Sequence, residues 1–315
     1  MQTRRTLLTA AAAALAPATT SGAAMMMADS VVPVHIFSKH LQFLPQGPDL
    51  LKAVRDLGFT GVDLTVRKGG HILPERVAQD LPPLMKAARD LGVRVDMVTT
   101  DIVDASTPNA ERVLDAMAQQ NIRIYRWGGF KYDADGPVRP QLDGMRGRVE
   151  KLAALNAKYK AKAIYHTHSG RGQTGASVWD AWLLVRDFDP QSVAVNYDAG
   201  HACIEGGYGG WNHSLRVLGP HLGGVAVKDF LWERNAAGTW RPAWKPLGEG
   251  MTPLKEVGAM LRQMKFEGPI QLHFEYPLGG ADTGKATLTV DREQVYAGMR
   301  RDLSKLRALW GLVAA

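Results

Sequence analysis

Four short apolar runs in this chain each end in acidic, histidine or lysine side chains. The runs cover residues 164–168, 193–198, 225–229 and 270–275. Each is predicted to be a β-strand because β-branched and other apolar residues dominate it, and each follows a segment with a helical pattern. In a closed parallel barrel the carboxyl ends of all strands meet at one mouth, so polar residues far apart in sequence would converge there. The pattern therefore indicates an enzyme with its site at that mouth.

Strand-like and helix-like segments alternate along most of the chain. The predicted strands are residues 34–37, 61–66, 93–98, 122–125, 163–166, 193–198, 224–227 and 270–275. The predicted helices are residues 48–57, 82–91, 145–159, 181–186, 254–264 and 291–309, with one more through 215–218. This alternation predicts an α/β fold, a single parallel (β/α)8 TIM barrel over residues 30–315. The alternative, an open doubly wound sheet, should carry a G-x-G-x-x-G turn after an early strand, and none is found there.

Two stretches rich in glycine and aromatic residues interrupt this rhythm. Residues 206–211 follow the sixth strand and residues 232–250 follow the seventh, and both are predicted to be loops. Long βα loops build the substrate walls of such barrels, and the faces of Trp232, Trp240 and Trp244 could pack on the C–H faces of a sugar. An equally weighted alternative is that these tryptophans form a satellite cluster on the barrel rim.

The first residues resemble an export signal. Arg4 and Arg5 precede an alanine-rich apolar run, and residues 21–23 supply the small side chains that a signal peptidase prefers. An arginine pair at this place is typical of a twin-arginine signal, so residues 1–24 are predicted to be removed and the mature protein to be periplasmic. The alternative is a frayed basic helix. A single cysteine, Cys203, offers no internal disulfide in such a compartment.

The distribution of charged and apolar residues indicates which classes of partner the protein can bind. The net charge is +7, but Lys and Arg are scattered among Asp and Glu. A surface of this kind is usually only solvated, so no nucleic-acid partner is predicted. Beyond the N-terminus there is no apolar run of about 18 residues, so no membrane contact is predicted after signal removal. A homo-oligomer is left open.

Five motifs, taken in order, resemble those of one family. Residues 197–201 read Tyr-Asp-Ala-Gly-His, like a D-x-G-H motif after strand six, and residues 227–229 read Val-Lys-Asp, like a strand-seven K-D motif. The other three motifs are a Y-H-x-H run, a G-x-G loop and a final Gly-to-Glu segment, at residues 165–170, 246–250 and 268–275. From about Val34 to the C-terminus the chain resembles the sugar phosphate isomerase/epimerase superfamily of xylose isomerase-like TIM barrels, and within it the inosose dehydratase branch.

This resemblance implies one divalent metal, Mn²⁺, Co²⁺ or Zn²⁺, held by Glu, Asp, His and Glu from strands five to eight. At the matching positions this chain has His166, Asp198, Ala226 and Glu275. Ala226 cannot bind a metal. Mixed imidazole and carboxylate ligands nevertheless suit these three metals better than Mg²⁺.

Three outcomes are open at the position of Ala226. A nearby histidine (His168, His201 or His273) supplies the missing ligand, the metal binds weakly, or the site is metal-independent. We favour the first, with His201 as the added ligand. The predicted ligand set is His166, Asp198, Glu275 and His201.

The resemblance also implies proton abstraction from the carbon beside a carbonyl. Glu275 is predicted to be the base, His201 to bind and polarise substrate oxygens, and Lys228 to neutralise the enediolate or to act as an acid. The other predicted substrate-binding residues lie near strand ends or in the loops: Arg67, Arg126, Trp127, His168, Trp232 and Glu249.

The predicted function is that of a metal-dependent isomerase or epimerase acting on a sugar, keto sugar or polyol. The alternatives are a lyase or hydrolase of a keto-glycoside or inosose, and a sugar-binding barrel without activity. A DNA-repair nuclease, which the family also contains, ranks last because it needs more metal ligands. Because an exported enzyme meets few phosphorylated sugars, a free sugar, a 3-keto-glycoside or an inositol derivative is the expected small-molecule partner.

Overall fold

Eight parallel strands close into a barrel in the computed structural model, which describes residues 32–133 and 135–312. The barrel strands are β1 (Val34–Phe37), β2 (Gly61–Val66), β3 (Arg94–Thr100), β4 (Ile124–Trp127), β5 (Lys162–His166), β6 (Val193–Asp198), β7 (Leu222–Val227) and β10 (Ile270–Leu272). Each strand pairs with the next in this order, and β10 closes the barrel on β1. The predicted (β/α)8 TIM barrel is confirmed. The predicted signal peptide, residues 1–24, lies outside the described residues.

The described part of the chain contains eight α-helices. They are α1 (Gly47–Asp56), α2 (Val77–Asp90), α3 (Ala110–Gln119), α4 (Val138–Tyr159), α5 (Val178–Val185), α6 (Ala199–Leu218), α7 (Leu254–Gln263) and α8 (Arg292–Trp310). Gly58 and Gly92 follow α1 and α2 with φ of 85° and 67°, the left-handed conformation that ends a helix. α3 lies where the sequence analysis predicts no helix. Within these residues no helix has both the length and the hydrophobicity to cross a membrane.

The two stretches predicted as loops are largely ordered. Residues 232–250 contain most of an antiparallel hairpin, formed by β8 (Asp229–Arg234) and β9 (Trp240–Lys245). Residues 206–211 lie inside α6, which bends at Gly207, where φ is 55° and ψ is −144°. Glycine tolerates this conformation without a steric penalty, so the helical run resumes after the bend. The glycine content of this stretch thus marks a kink and not a loop.

The barrel interior changes from apolar to polar along the strands. Met97, Ile164 and Ala194 form a small buried cluster of their own inside the barrel. Because side chains two residues apart in a strand point to the same face, the next inward positions on β3, β5 and β6 are taken by polar residues. These residues are Thr99, His166 and Asn196, and all are buried. The carboxyl end of the barrel is therefore the polar end.

The last barrel strand is shorter than predicted. The N–H of His273 still donates to the carbonyl of Val227 (3.0 Å), but the N–H of Phe274 donates to His40 Nε2 (3.1 Å). His40 in turn is held by the carbonyl of Ala281 (3.0 Å). The backbone thus leaves the sheet just after Leu272, and this places His273 and Glu275 at the mouth.

Candidate active site at the barrel mouth

Asp198 ends β6 and caps α6, so its position is set by both elements. Its Oδ1 accepts the backbone N–H of His201 (2.9 Å), as an N-cap side chain does, and its own N–H donates to Thr167 Oγ1 (3.0 Å). Asp198 is fully buried. The D-x-G-H spacing therefore fixes a carboxylate and an imidazole at the start of one helix.

Lys228 lies one residue beyond β7, and its ammonium group sits among the predicted site residues. Nζ is 2.7 Å from His201 Nε2, 3.1 Å from Asp198 Oδ2 and 3.8 Å from Glu275 Oε1. It also lies 4.4 Å from the ring centroid of Trp244, which is a cation–π distance. Only 3% of the lysine is exposed. Three of the four predicted metal ligands thus surround a fixed positive charge.

His166, Asp198 and His273 form a buried group that could hold a metal ion. One ligand atom from each lies within 4.8 Å of the others. Both ring nitrogens of His273 lack a hydrogen-bond partner among the described residues, and Asp198 Oδ2 has none of good geometry. Buried polar atoms left in this state are costly unless a ligand satisfies them. Two imidazoles and a carboxylate also match the donors that Zn²⁺, Mn²⁺ and Co²⁺ accept, so the residues fit a divalent metal.

Glu275 stands at the rim and pairs with two lysines. Its Oε1 is 3.2 Å from Lys39 Nζ and 3.8 Å from Lys228 Nζ. Burial raises the pKa of this carboxyl, but the nearby charges of Lys228 and Lys39 outweigh burial and lower the pKa to about 2. Glu275 is therefore ionised at any physiological pH, and a quarter of its side chain remains open to solvent.

Two arginines add positive charge on the opposite side of the mouth. The guanidinium carbons of Arg67 and Arg126 lie 5.6 Å and 5.4 Å from the ring centroid of Phe37. Arg126 Nη2 donates to His168 Nε2 (3.2 Å). Burial, more than any neighbouring charge, lowers the pKa of Arg126 to about 10, so the guanidinium stays charged at neutral pH. With the two lysines, these residues make the mouth a site for anionic oxygen.

The four histidines at the mouth are held neutral. Burial first, and then nearby cations, lowers the pKa of His166, His201 and His273 well below the usual value and that of His168 to about 3. Their rings follow one another, with centroids 4.6 Å apart from His166 to His168 and 5.2 Å apart from His168 to His201.

The tautomer of His201 follows from its partners. The ammonium of Lys228 can only donate, so Nε2 of His201 accepts and the ring proton lies on Nδ1. Nδ1 then donates to Ser169 Oγ, which is 2.7 Å away. His201 therefore links the lysine to a hydroxyl without carrying charge.

The remaining predicted site residues lie further from this centre. Trp127 is on the outward face of β4, next to the inward Arg126, and it packs edge-on against Phe130 and Tyr165. Trp232 lies on the β8–β9 hairpin with 41% of its surface exposed. Glu249 is exposed in the loop after the hairpin. None of these three residues contacts Lys228 or the residues around it, His201, Asp198 and Glu275.

Asp229, next to Lys228, has a structural role. Its Oδ2 accepts the N–H groups of Gly248 (2.9 Å) and Gly250 (3.0 Å), and its Oδ1 accepts that of Thr252 (2.9 Å). A Cβ at Gly250 would lie 2.1 Å from Asp229 Oδ1, so the glycine is required for this approach. The K-D and G-x-G motifs are thus one unit, in which the aspartate anchors the loop and the lysine enters the site.

Two residues of the site are absent from the predicted set, Lys39 and Ser169. Lys39 lies two residues after Phe37, so alternation continued past β1 could have placed it inside the barrel. Ser169 follows the Y-H-x-H run directly, but no spacing rule assigns it a partner.

The fold is shared with solved enzymes, among them two sugar epimerases and a dehydratase. D-psicose 3-epimerase with D-tagatose from Clostridium cellulolyticum has a TM-score of 0.65 and 12% identity, over 88% of this chain and 99% of that one. The probable 3-DHS dehydratase from Bacillus anthracis has a TM-score of 0.64 and 15% identity, over 86% and 98% of the two chains. The 3-keto-D-glucoside 4-epimerase from E. coli has a TM-score of 0.62 and 15% identity, over 88% and 99%. At these identities the likeness establishes the fold alone.

Sequence comparison identifies the family. No curated protein matches the chain significantly. The xylose isomerase-like TIM barrel family matches residues 51–297, which cover most of the barrel and every strand end described above except that of β1. With the closed eight-stranded barrel and the motifs at the ends of β5, β6 and β7, the chain belongs to the xylose isomerase-like TIM barrel family.

Proposed function

We propose that this barrel is a sugar isomerase or epimerase that removes a proton from the carbon beside a carbonyl. The observation that carries the proposal is the ionised Glu275 at the mouth, held between Lys39 and Lys228. A carboxylate in this position can accept a proton, while fixed cations beside it stabilise the negative charge that the substrate gains. A keto sugar or a polyol oxidised to a ketone is the matching substrate.

Charge moves little during such a step. When Glu275 accepts the proton, its negative charge disappears and an equal charge forms on the substrate oxygen. Lys39 and Lys228 already lie 3.2 Å and 3.8 Å from Glu275 Oε1, so positive charge is in place beside the base before the proton moves. The cations that make Glu275 a weak base also stabilise the enediolate, which offsets the low basicity.

A divalent metal, Mn²⁺, Co²⁺ or Zn²⁺, is part of this proposal. His166, Asp198 and His273 would hold it, since one ligand atom from each lies close to the others and Asp198 and His273 carry buried atoms without a hydrogen-bond partner. When bound, it would supply Lewis-acid stabilisation of the substrate oxygens. His273 thereby takes the part of the histidine that Ala226 lacks, whereas Glu275 and His201 remain with Lys228.

The chemistry of similar structures supports a keto sugar as the substrate class. Two of them are named for epimerisation of keto sugars, D-psicose and a 3-keto-D-glucoside. The arginine pair near the N-terminus supports an exported enzyme, which would meet free sugars and oxidised glycosides more than sugar phosphates. We therefore propose an unphosphorylated keto sugar or 3-keto-glycoside.

Deuterium exchange tests the proposal directly. The purified protein is incubated in D₂O with D-psicose, D-fructose, D-tagatose and a 3-keto-glucoside, with and without Mn²⁺, and label at carbon is followed by NMR. Enzyme-dependent label at the carbon next to the carbonyl of at least one sugar is expected. Sugar binding without any exchange would instead support the binding-protein alternative, and neither binding nor exchange would contradict the proposed substrate class.

Elimination is the second candidate, and one contact favours it. The Lys228 ammonium is only 3.8 Å from Glu275 Oε1, so an acid stands beside the base on one side of the mouth. Such a pair could protonate a departing β-oxygen after the carboxylate has taken the proton. If incubation with a keto-glycoside or inosose gives a dehydrated product in place of an epimer or isomer, the protein is a lyase.

We further propose that residues 1–24 direct export by the twin-arginine route. Replacing Arg4 and Arg5 together by lysine is expected to leave precursor in the cytoplasm, because the translocase reads the arginine pair. Fractionation followed by detection of the two forms checks this. The double change of the neighbouring Thr3 and Thr6 to serine is the matched control and should be exported normally; equal export of both variants would exclude this route.

A further inference from the structure

Lys228 occupies the place where the predicted metal ligands converge. Its Nζ lies 2.7 Å from His201 Nε2, 3.1 Å from Asp198 Oδ2 and 3.8 Å from Glu275 Oε1. The residue two positions earlier, on the same inward face of β7, is Ala226, which offers no donor. The barrel thus has a methyl group in place of one ligand and holds the ammonium group of the K-D motif among the others.

The charges of the two carboxylates are already matched. Asp198 is paired with Lys228, and Glu275 is paired with Lys39 and more distantly with Lys228. Asp198 Oδ2 lies 3.4 Å from His166 Nε2 and 3.1 Å from Lys228 Nζ, so a cation held there by His166, Asp198 and His273 would share this oxygen with the lysine. Two positive centres on one carboxylate oxygen repel each other strongly in a buried site, since little water is present to screen them. The ion and the ammonium group therefore compete.

We propose that Lys228 is a built-in competitor of the divalent metal and keeps the metal affinity of this barrel low. The proposal rests on the metal site put forward above. The ammonium group is covalently attached and nearly fully buried, so it is always present at high local concentration, unlike an ion from solution. The carboxylates consequently have a positive partner whether or not metal is available.

Metal titration of two lysine variants tests this inference. Lys228→Met keeps the length of the side chain but removes its charge, and it leaves the buried Asp198 without its lysine counter-ion. Lys39→Met is the matched control, because Lys39 contacts Glu275 but is not paired with Asp198. Isothermal titration with Mn²⁺ and with Zn²⁺ should give an affinity at least about tenfold higher for Lys228→Met than for the wild type, and a smaller change for Lys39→Met.

Thermal unfolding gives a second readout. Without metal, Lys228→Met should unfold at a lower temperature than the wild type, since a buried carboxylate has lost its counter-ion. Adding Mn²⁺ should raise its unfolding temperature more than that of the wild type. Lys228→Gln, which can still donate a hydrogen bond, is used in both measurements if the methionine variant does not fold.

Several results would overturn the inference. They are equal or weaker metal binding by both Lys228 variants, an equal gain in Lys39→Met, or no binding by any form. These measurements need no substrate. Failure here is therefore distinct from failure of the proposed activity, which deuterium exchange by the wild-type protein decides.

Discussion

Replacing Glu275 by glutamine is expected to lower the rate of deuterium exchange into the keto sugar by about 10²–10⁴-fold, the usual contribution of a general base. Glutamine has nearly the same shape, and its carbonyl oxygen can still accept from Lys39, so the geometry of the mouth should survive. What is lost is the group that takes the proton. Binding of the sugar should change far less than the rate.

The control for this experiment is a carboxylate of the same type far from the mouth. Glu267 is exposed just before β10, at the opposite end of the barrel, so Glu267→Gln should leave exchange unchanged. The folded state of both variants is checked by thermal unfolding. Exchange by Glu275→Gln within a few-fold of the wild-type rate would mean that another residue is the base.

The pH profile of the same reaction follows from the low pKa of Glu275. With that pKa at about 2, the base stays ionised as the pH falls from 8 to 5. The neighbouring histidine His168, whose pKa burial and nearby cations lower to about 3, does not gain a proton in this range either. Over the part of this range in which thermal unfolding shows that the protein stays folded, the initial rate, divided by substrate concentration well below saturation, should therefore show no acid limb near pH 6.5. A limb there would indicate a histidine with an ordinary pKa as the base.

The sequence predicts the fold well because the barrel is built from local signals. Strands such as β6 begin with short apolar runs, and helices such as α1 end at a Leu-Gly pair, so each of these elements can be recognised alone. The position of Asp198 and His201 was also predictable, since capping geometry links a strand end to the residue three positions later. Register then brings the strand ends to one mouth.

What the sequence could not predict depends on contacts between distant segments. Glu275 pairs with Lys39, which is 236 residues away, and the pairing exists only because β10 lies beside β1. The grouping of His273 with His166 and Asp198 likewise depends on how far β10 runs before its backbone leaves the sheet. The residue types alone identify these side chains as candidates for the site. Which of them lie together is determined by the closure of the barrel.

The largest effect on stability is expected below pH 6.5, and it comes from buried and half-buried histidines. Burial is the first cause that lowers the pKa of six histidines: His40 and His168 to about 3, His71 to about 4, and His166, His201 and His273 well below the usual value. Above pH 6.5 these groups are neutral in both the folded and the unfolded chain. Below pH 6.5 the unfolded chain binds protons that the folded chain does not bind, so the free energy of unfolding decreases as the pH falls.

The magnitude can be set against the whole stability of a domain. At pH 5.5 each such histidine costs on the order of 1 kcal/mol of unfolding free energy, so the six together cost several kcal/mol, roughly 5–8. Asp63 acts in the opposite direction, because burial raises its pKa to about 6, and its protonation in the folded state returns on the order of 1 kcal/mol at this pH. The net loss of unfolding free energy at pH 5.5 is comparable to the whole unfolding free energy of most domains, about 5–15 kcal/mol. Glu275 does not contribute in this window, since its stabilisation is lost only below the unfolded value of 4.5.

Urea unfolding at pH 7.5, 6.5 and 5.5 checks this expectation. The urea concentration at the midpoint should change little between pH 7.5 and pH 6.5. It should fall steeply between pH 6.5 and pH 5.5. His71→Gln removes one half-buried histidine that lies away from Lys228, and it should make the pH dependence shallower by about the share of one group. His213→Gln removes an exposed histidine outside this set and serves as the control. A midpoint that stays constant down to pH 5.5 would mean that the mouth admits protons, and with them water, far more freely than its burial implies.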